Sequence, residues 1–316
     1  MTAYIVRRFV SMVPTLLLVS VVTFALAHLM PGDPALAYLG ESSPRDQVAY
    51  QAMRKQLGLD QPVVVQYVNW IEQVGRGDLG TSVRSQDSVV SELEQRLPVT
   101  LELTFLGMLV AALLAFPAGI FSAMRPGSLL DTVATMGVIG GLAIPDFWLG
   151  IMMIYLFAVA LHLLPPSGFT PIATDLGMNL QMMVLPALAV GLAQAAILMR
   201  QIRSALLEVL HREYVTTARA KGLGEALVVR RHALRNALIP VVTLFGLQTG
   251  RVFGTAVVIE TIFGLPGLAR LAVDSVAFRD YSALQGTILF FAVIVLLVNL
   301  FTDLIYGFLD PRIRYA

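Results

Sequence analysis

Six stretches of the chain consist almost entirely of apolar side chains, at 9–30, 99–123, 133–161, 180–199, 238–259 and 284–309, and polar residues gather in the segments between them. A helix rises 1.5 Å per residue, so about 20 apolar residues cross a hydrocarbon core of roughly 30 Å. Each stretch meets that length, and the pattern predicts six transmembrane helices. The run at 133–161 is longer than one crossing needs, and Pro145 followed by Asp146 marks a kink or the true start of the membrane segment. The first run exceeds a signal-peptide core and has no small-x-small cleavage site before Pro31, so it reads as an uncleaved span.

Two polar segments are too patterned to be plain connectors. In 31–98, Ser43-Pro44 ahead of RDQVAYQAMRKQL supplies a cap and a proline at the first helical position, and Gly58 supplies a stop. A second helix is predicted to open at Pro62 and bury Val65, Val68, Trp70 and Ile71, and a third to run through SVVSELEQRL up to Pro98. This insertion carries nine Asp or Glu against six Lys or Arg, a balance that suits either a passive cap or a surface that receives a charged partner. In the second segment, EYVTTARAKGLGEALVVRRHALRNALIP at 213–240, Glu213 to Lys221 form a short helix. Gly222-Leu223-Gly224 then make a tight bend, and 225–236 form a second helix leading towards the fifth span. A glycine bend takes backbone conformations that cost another residue about 1 kcal/mol or more. Two short helices at an angle make a knob. Bearing Ala218 and Ala220 beside basic residues, it suits a groove on a soluble partner and can pass that partner's movement to the membrane helices.

Composition narrows the class. With 57% hydrophobic and 14% charged residues and a mean hydropathy of +0.75, the chain takes a lipid bilayer as its solvent. A net charge of +1 argues against nucleic acid as a partner, which needs concentrated basic surface. Without cysteine there are no disulfides, thiolate metal sites or cysteine nucleophiles. Thirteen Lys or Arg fall on one side of the predicted spans: Arg7, Arg8, Arg125, eight between Arg200 and Arg235, Arg312 and Arg314. The opposite short loops hold Arg270 and Arg279. The positive-inside rule then places both termini and the 200–235 loop in the cytoplasm and 31–98 outside. Basic residues also bind anionic headgroups, at about 1 kcal/mol each. That accounts for Arg200, Arg203, Arg230 and Arg231 but gives no reason for the glycine bend.

Candidate chemistry is sparse. A Walker A loop needs a lysine after GxxxxG, and neither Lys55 nor Lys221 fits, so energy must come from a partner. A membrane enzyme would need a set such as HExxH or GxSxG. GRGD at 75–78 matches an intramembrane aspartyl protease pattern only formally, because it lies in the polar insertion. His28, His162, His211 and His232 lack ligand spacing. A secondary transporter would show inverted repeats and broken helices with midplane ion ligands, and neither is evident. Arg251 falls inside the fifth apolar run, where an unpaired charge costs about 2.5 to 3.5 kcal/mol. It requires a partner or water, with Asp146 and Asp303 as partners by type. Gln194, Gln248 and Asn299 read as interhelical hydrogen-bonding residues. Asp146, Gln248 and Arg251 together are the candidates for a pathway or subunit interface.

TARAKGL at 217–223 closely resembles the cytoplasmic loop of the permeases of dipeptide and oligopeptide ABC importers, a variant of the EAA motif. Thr216-Thr217 stand where the broader motif has Glu-Ala, while Ala218 and Gly222 keep their places. The resemblance extends along the chain through PGDP at 31–34, LGLDQP at 57–62, GDLGTS at 77–82, RLP at 96–98, IPDFWLG at 144–150 and LDPRIRY at 309–315. It implies an all-α membrane protein of the type I ABC importer permease fold. A first helix plus extracytoplasmic insertion would occupy 1–98, a five-helix core 99–309 and a cytoplasmic tail 310–316. It implies ATPase coupling through Glu213, Tyr214, Thr217, Ala218, Ala220, Lys221, Gly222, Leu223 and Gly224. The implied partners are a second homologous permease, one or two ATP-binding subunits and an external solute-binding protein. ATP and Mg would sit on the ATPase subunits and no cofactor on this chain. The solute stays open among a dipeptide, a longer peptide, glutathione, a metal chelate and a sugar, with peptide the leading expectation.

Overall fold

A computed structural model of the chain describes residues 2–29, 32–39 and 47–309, and among them the regular elements are helical, apart from one bridge between Thr81 and Ser88. In chain order they are α1 (Thr2–Leu29), α2 (Pro34–Leu39), α3 (Gln47–Gln56), α4 (Val63–Gly75), α5 (Val89–Met124), α6 (Leu129–Ala143) and α7 (Asp146–Met153). There follow α8 (Leu176–Leu210), α9 (Glu213–Ala220), α10 (Glu225–Leu227), α11 (Leu234–Ile262), α12 (Leu268–Ala277) and α13 (Tyr281–Leu309). A π-helical segment, Ile154–Ala160, extends α7, and another, Val228–Ala233, joins α10 to α11.

Five of these helices are long and apolar enough to cross a bilayer, and α6 with α7 forms a sixth candidate broken by a 100° bend. The break falls at Ile144-Pro145, where the ring of Pro145 pushes the preceding residue out of helical conformation; Ile144 has ψ 123°. The long third run is therefore two helices.

One compact unit comprises Thr2–Thr100 and Pro266–Leu296. Its apolar core joins Val89 and Leu93 of α5 to Leu268 and Leu271 of α12 and Ala283 of α13. The helix expected to stop before Pro98 does not stop. α5 runs unbroken from Val89 to Met124, since Val89, Leu93, Val99 and Leu103 share one buried face and their packing outweighs the single backbone hydrogen bond that Pro98 forgoes. α3 ends near Gly58, whose φ is 67°, as expected; its proposed cap at Ser43-Pro44 lies outside the described residues. The Asp33 carboxylate accepts the Ala35 N–H at 2.9 Å to start α2, and also the Tyr50 hydroxyl at 2.5 Å. That bond is the main reason the Tyr50 phenol is held above its ordinary range. In α4 the inward face is not the expected one. Tyr67, Trp70 and Ile71 are half-buried, whereas Val65 and Val68 are exposed, because the contacts with Phe24 of α1 fall at 67 and 70, one helical turn apart.

The other unit comprises Leu101–Leu265 and the chain from Leu297 on, and α8 is its central helix. Sixteen of the 35 residues of α8 are buried, and α5, α6, α7 and α11 supply the neighbours. Glycine lets α5 and α8 touch. A Cβ on Gly107 would meet Val190 at 2.7 Å, one on Gly119 would meet Ile202 at 2.8 Å, and one on Gly191 would meet Val110 at 2.6 Å. Position 107 faces 190 and position 119 faces 202, so the two helices run in the same direction. The chain between them must therefore return across the unit, and α6 with α7 makes that crossing.

Candidate docking element and polar sites

At 1.5 Å per residue α8 is about 52 Å long, well beyond a hydrocarbon core of about 30 Å. Its last turns carry the element singled out in the sequence. α9 begins after Arg212, with Glu213 in its first turn, where a carboxylate suits the helix dipole. It ends at Lys221, and Gly222 turns the chain at φ 79°, its N–H bonded to the Arg219 carbonyl at 2.9 Å. That is the left-handed position at which helices stop on glycine. Gly224 restarts the chain into α10.

Three interactions hold this bend. Val215 and Ala218 of α9 pack on Val228, with Val209, Leu210 and Leu223 around them. The Arg219 guanidinium donates to both carboxylate oxygens of Glu225, at 3.0 and 2.6 Å, and to the Leu210 carbonyl at 3.3 Å. Asn236 donates to the Tyr214 hydroxyl at 2.9 Å. Arg219 and Glu225 are both partly exposed, so their pair contributes a few tenths of a kcal/mol, but its forked geometry fixes the angle between α9 and α10. The sequence-predicted residues divide accordingly. Tyr214, Thr217, Ala220, Lys221, Gly222 and Gly224 are exposed together with Glu213; Leu223 is half-buried and Ala218 is buried in the small core. The second helix of the pair is not separate, since the π-helical turn at Val228–Ala233 continues into α11. α9 is thus joined through short chain segments to both α8 and α11.

Arg203, read from sequence as a headgroup anchor, is otherwise engaged. Its Nε and Nη2 donate to the two Asp131 oxygens at 2.8 and 3.0 Å, and Asp131 also accepts from the Ser122 hydroxyl and the Gly127 N–H. A buried carboxylate with four donors is a stronger attractor than a mobile headgroup. Sequence reasoning missed this cluster, although Ser128-x-x-Asp131 announces the start of α6 by its capping pattern. It also missed Asp280, which accepts the Ser82 hydroxyl at 2.5 Å and caps α13 through the Ala283 N–H at 3.1 Å, fixing the GDLGTS turn.

Within the apolar helices, Gln248 of α11 donates to Gln194 of α8 at 2.8 Å, the interhelical bond expected of these residues. Arg251 donates to Gln248 Oε1 at 3.1 Å and is itself exposed. The charge is therefore offset through Gln248 rather than by an ion pair with Asp146, which sits half-buried at the start of α7. No metal-binding cluster of His, Asp and Glu occurs among the described residues.

Membrane-length helices with a braced, angled helix pair at the end of one of them define a multi-pass membrane protein. The chain belongs to the family of binding-protein-dependent transport system inner membrane components: residues 115–315 match that family and residues 1–104 match its N-terminal region. It is thus a multi-pass inner-membrane permease component that works in a complex with other subunits, and is not itself an enzyme. It is 38% identical to the dipeptide transport system permease protein DppB of Alkalihalophilus pseudofirmus, over the whole of both chains. It is 39% identical to the di/tripeptide transport system permease protein DppB of Pseudomonas aeruginosa, covering 100% of this chain and 99% of that one. It is 40% identical to the glutathione transport system permease protein GsiC of Escherichia coli, again over all of both chains. Among solved structures, an inward-facing MetNI methionine ABC transporter shares the fold, with TM-score 0.57 at 19% identity over 69% of this chain and 96% of that one.

Proposed function

We propose that this chain is the permease subunit of an ATP-driven importer of short peptides, pairing with a second homologous permease around the pathway. One or two ATPase subunits, holding ATP and Mg, dock on the exposed face of α9 and the Gly222 bend. An external binding protein delivers solute on the side of the 31–98 insertion. The observation that carries this reading is the α9–Gly222–α10 element, which is braced by its own contacts and continuous with two membrane helices. Peptide as solute is supported by three full-length relatives whose names specify a dipeptide, a di- or tripeptide and glutathione. Asp146, Gln248 and Arg251 are the residues assigned to the pathway or to the permease interface. The Lys and Arg distribution supports cytoplasmic termini.

Gly222 gives the test. A Cβ there meets nothing within 4 Å, so a substitution acts through the backbone alone. Valine at a left-handed position costs about 1–2 kcal/mol, whereas asparagine tolerates it. With ATPase partners and binding protein co-reconstituted in liposomes, Gly222→Val is expected to lower ATP-dependent dipeptide uptake at least tenfold, and Gly222→Asn to retain most of it. Native uptake by Gly222→Val would remove the docking role from this loop.

A further inference from the structure

α4 leaves an apolar face exposed as well as a polar one. Gln66 and Trp70, half-buried, and Asn69 and Gln73, exposed, line a cavity of about 550 Å³ that also takes in Asp33 and Arg54. Val64 and Val68 lie outward, 73% and 51% exposed. At 100° per residue positions 66, 69, 70 and 73 fall on one side of the helix, and 64 and 68 on the other. Water on that side would leave both of these large apolar side chains solvated, against the hydrophobic driving force of about 25 cal/mol per Å².

The level of α4 along α1 identifies what does lie there. Tyr67, edge-on, and Trp70, tilted, pack around Phe24 at ring-centre distances of 5.4 and 5.7 Å, the Tyr67 hydroxyl meets the Ser20 hydroxyl at 2.8 Å, and Gln66 meets His28 at 3.2 Å. Phe24 lies five residues before the end of the membrane span Arg7–Leu29, and Ser20 nine residues before it. By helical rise these contacts lie ~7 and ~13 Å below the end of the apolar run. Leu26 and Leu29 of α1 are exposed at that level, so the valines continue a surface that already faces lipid. An amphipathic helix lying in the interface sinks its apolar face about 5–10 Å into the headgroup and acyl boundary, and Tyr and Trp concentrate at that depth. α4 contains no Lys or Arg, and its Glu72 is paired with Arg76 at 2.5 Å just past its last turn.

We infer that α4 is an interfacial helix with its valine face against lipid acyl chains and its amide face on a hydrated cavity, so the insertion is seated in the membrane rather than standing clear of it. Which leaflet this is rests on the orientation proposed above; the lipid contact does not. The cysteine-free sequence makes the test direct. Single cysteines at Val64, Val68, Asn69 and Gln73 of the full chain, assembled with its partner subunits in liposomes, would each carry a bimane fluorophore, with Leu26→Cys as lipid control and Lys55→Cys as water control. Phosphatidylcholine brominated near the headgroup end of its chains is expected to quench positions 64 and 68 at least threefold more than 69 and 73, and aqueous iodide to rank them in reverse. Iodide reaching 64 and 68 as readily as 69 and 73 would overturn the inference in favour of water. Failure of both quenchers at 64 and 68 would overturn it in favour of a covering protein subunit. Positions 64 and 68 are read independently, so where one valine variant fails to assemble the other carries the test.

Discussion

Asp131 gathers four donors around one carboxylate: the Ser122 hydroxyl, the Gly127 N–H and two N–H groups of Arg203. Asp131→Asn keeps the shape but removes the charge that Arg203 faces. Stranding one member of a fully buried pair costs about 3–5 kcal/mol. Arg203 is about a third exposed and regains some hydration, so about 2 kcal/mol is expected here. The variant should melt several degrees lower by scanning fluorimetry in detergent, and Asp131→Asn with Arg203→Gln should recover much of that loss. Equal melting temperatures for the parent and the single variant would remove the pair from the stability of this unit. The local part of the cluster was legible in the sequence, because Ser128 three residues before Asp131 is a capping pattern. The pairing with Arg203 was not. The two residues are 72 positions apart, and charge counting treats every loop arginine alike.

The spans themselves were legible because a bilayer imposes one length on every helix, and that length shows as uninterrupted apolar runs. The bend at Pro145 was legible for a local reason, since proline restricts the residue before it. Pro98 carries the same signal with the opposite outcome, because packing along α5 decided it and packing is not a local property. The π-helical turn at Val228–Ala233 also left no sequence mark. It allows Val228 to reach Val215 and Ala218 while Ala233 and Ala237 stay buried farther along. Small residues were the faintest signal, because Gly107, Gly119 and Gly191 resemble any other glycine in an apolar run. A methyl group at Gly191 would lie 2.6 Å from the Val110 side chain and 2.8 Å from the Gly107 carbonyl oxygen, so α5 and α8 must part to admit it. Gly191→Ala is expected to destabilise by about 1–3 kcal/mol through overpacking. Gly137 in α6 is the counter-case: nothing lies within 4 Å of its Cβ direction, and Gly137→Ala should be neutral or stabilising by up to about 1 kcal/mol. Thermal unfolding of the two variants side by side checks the contrast, and equal effects would show that the close approach of α5 and α8 contributes nothing.

For the whole molecule the governing question is parity. If α6 and α7 crossed the bilayer as one bent span, the chain would cross six times and both termini would share a side. If the pair entered and left by one face, there would be five crossings and opposed termini. The parallel course of α5 and α8 favours the first arrangement, and so does Arg203, near the far end of α8, reaching Asp131 just beyond the end of α5. Those ends lie on one face, which brings Arg125 to the same side as the basic residues of 200–235. Five crossings would divide them between the two faces, against the positive-inside bias. Lys55 and Glu225 are both exposed, and the sequence has no cysteine to interfere. With Lys55→Cys and Glu225→Cys expressed separately, a membrane-impermeant maleimide added to cells with a permeabilised outer barrier but a sealed inner membrane should label Cys at 55. It should reach the site at 225 only in inverted vesicles. Labelling of 225 from outside would reverse the orientation and leave α9 with no access to ATP. Labelling of both from outside would mean that the bent pair fails to cross, because only a change in the number of spans between the two sites brings them to one face.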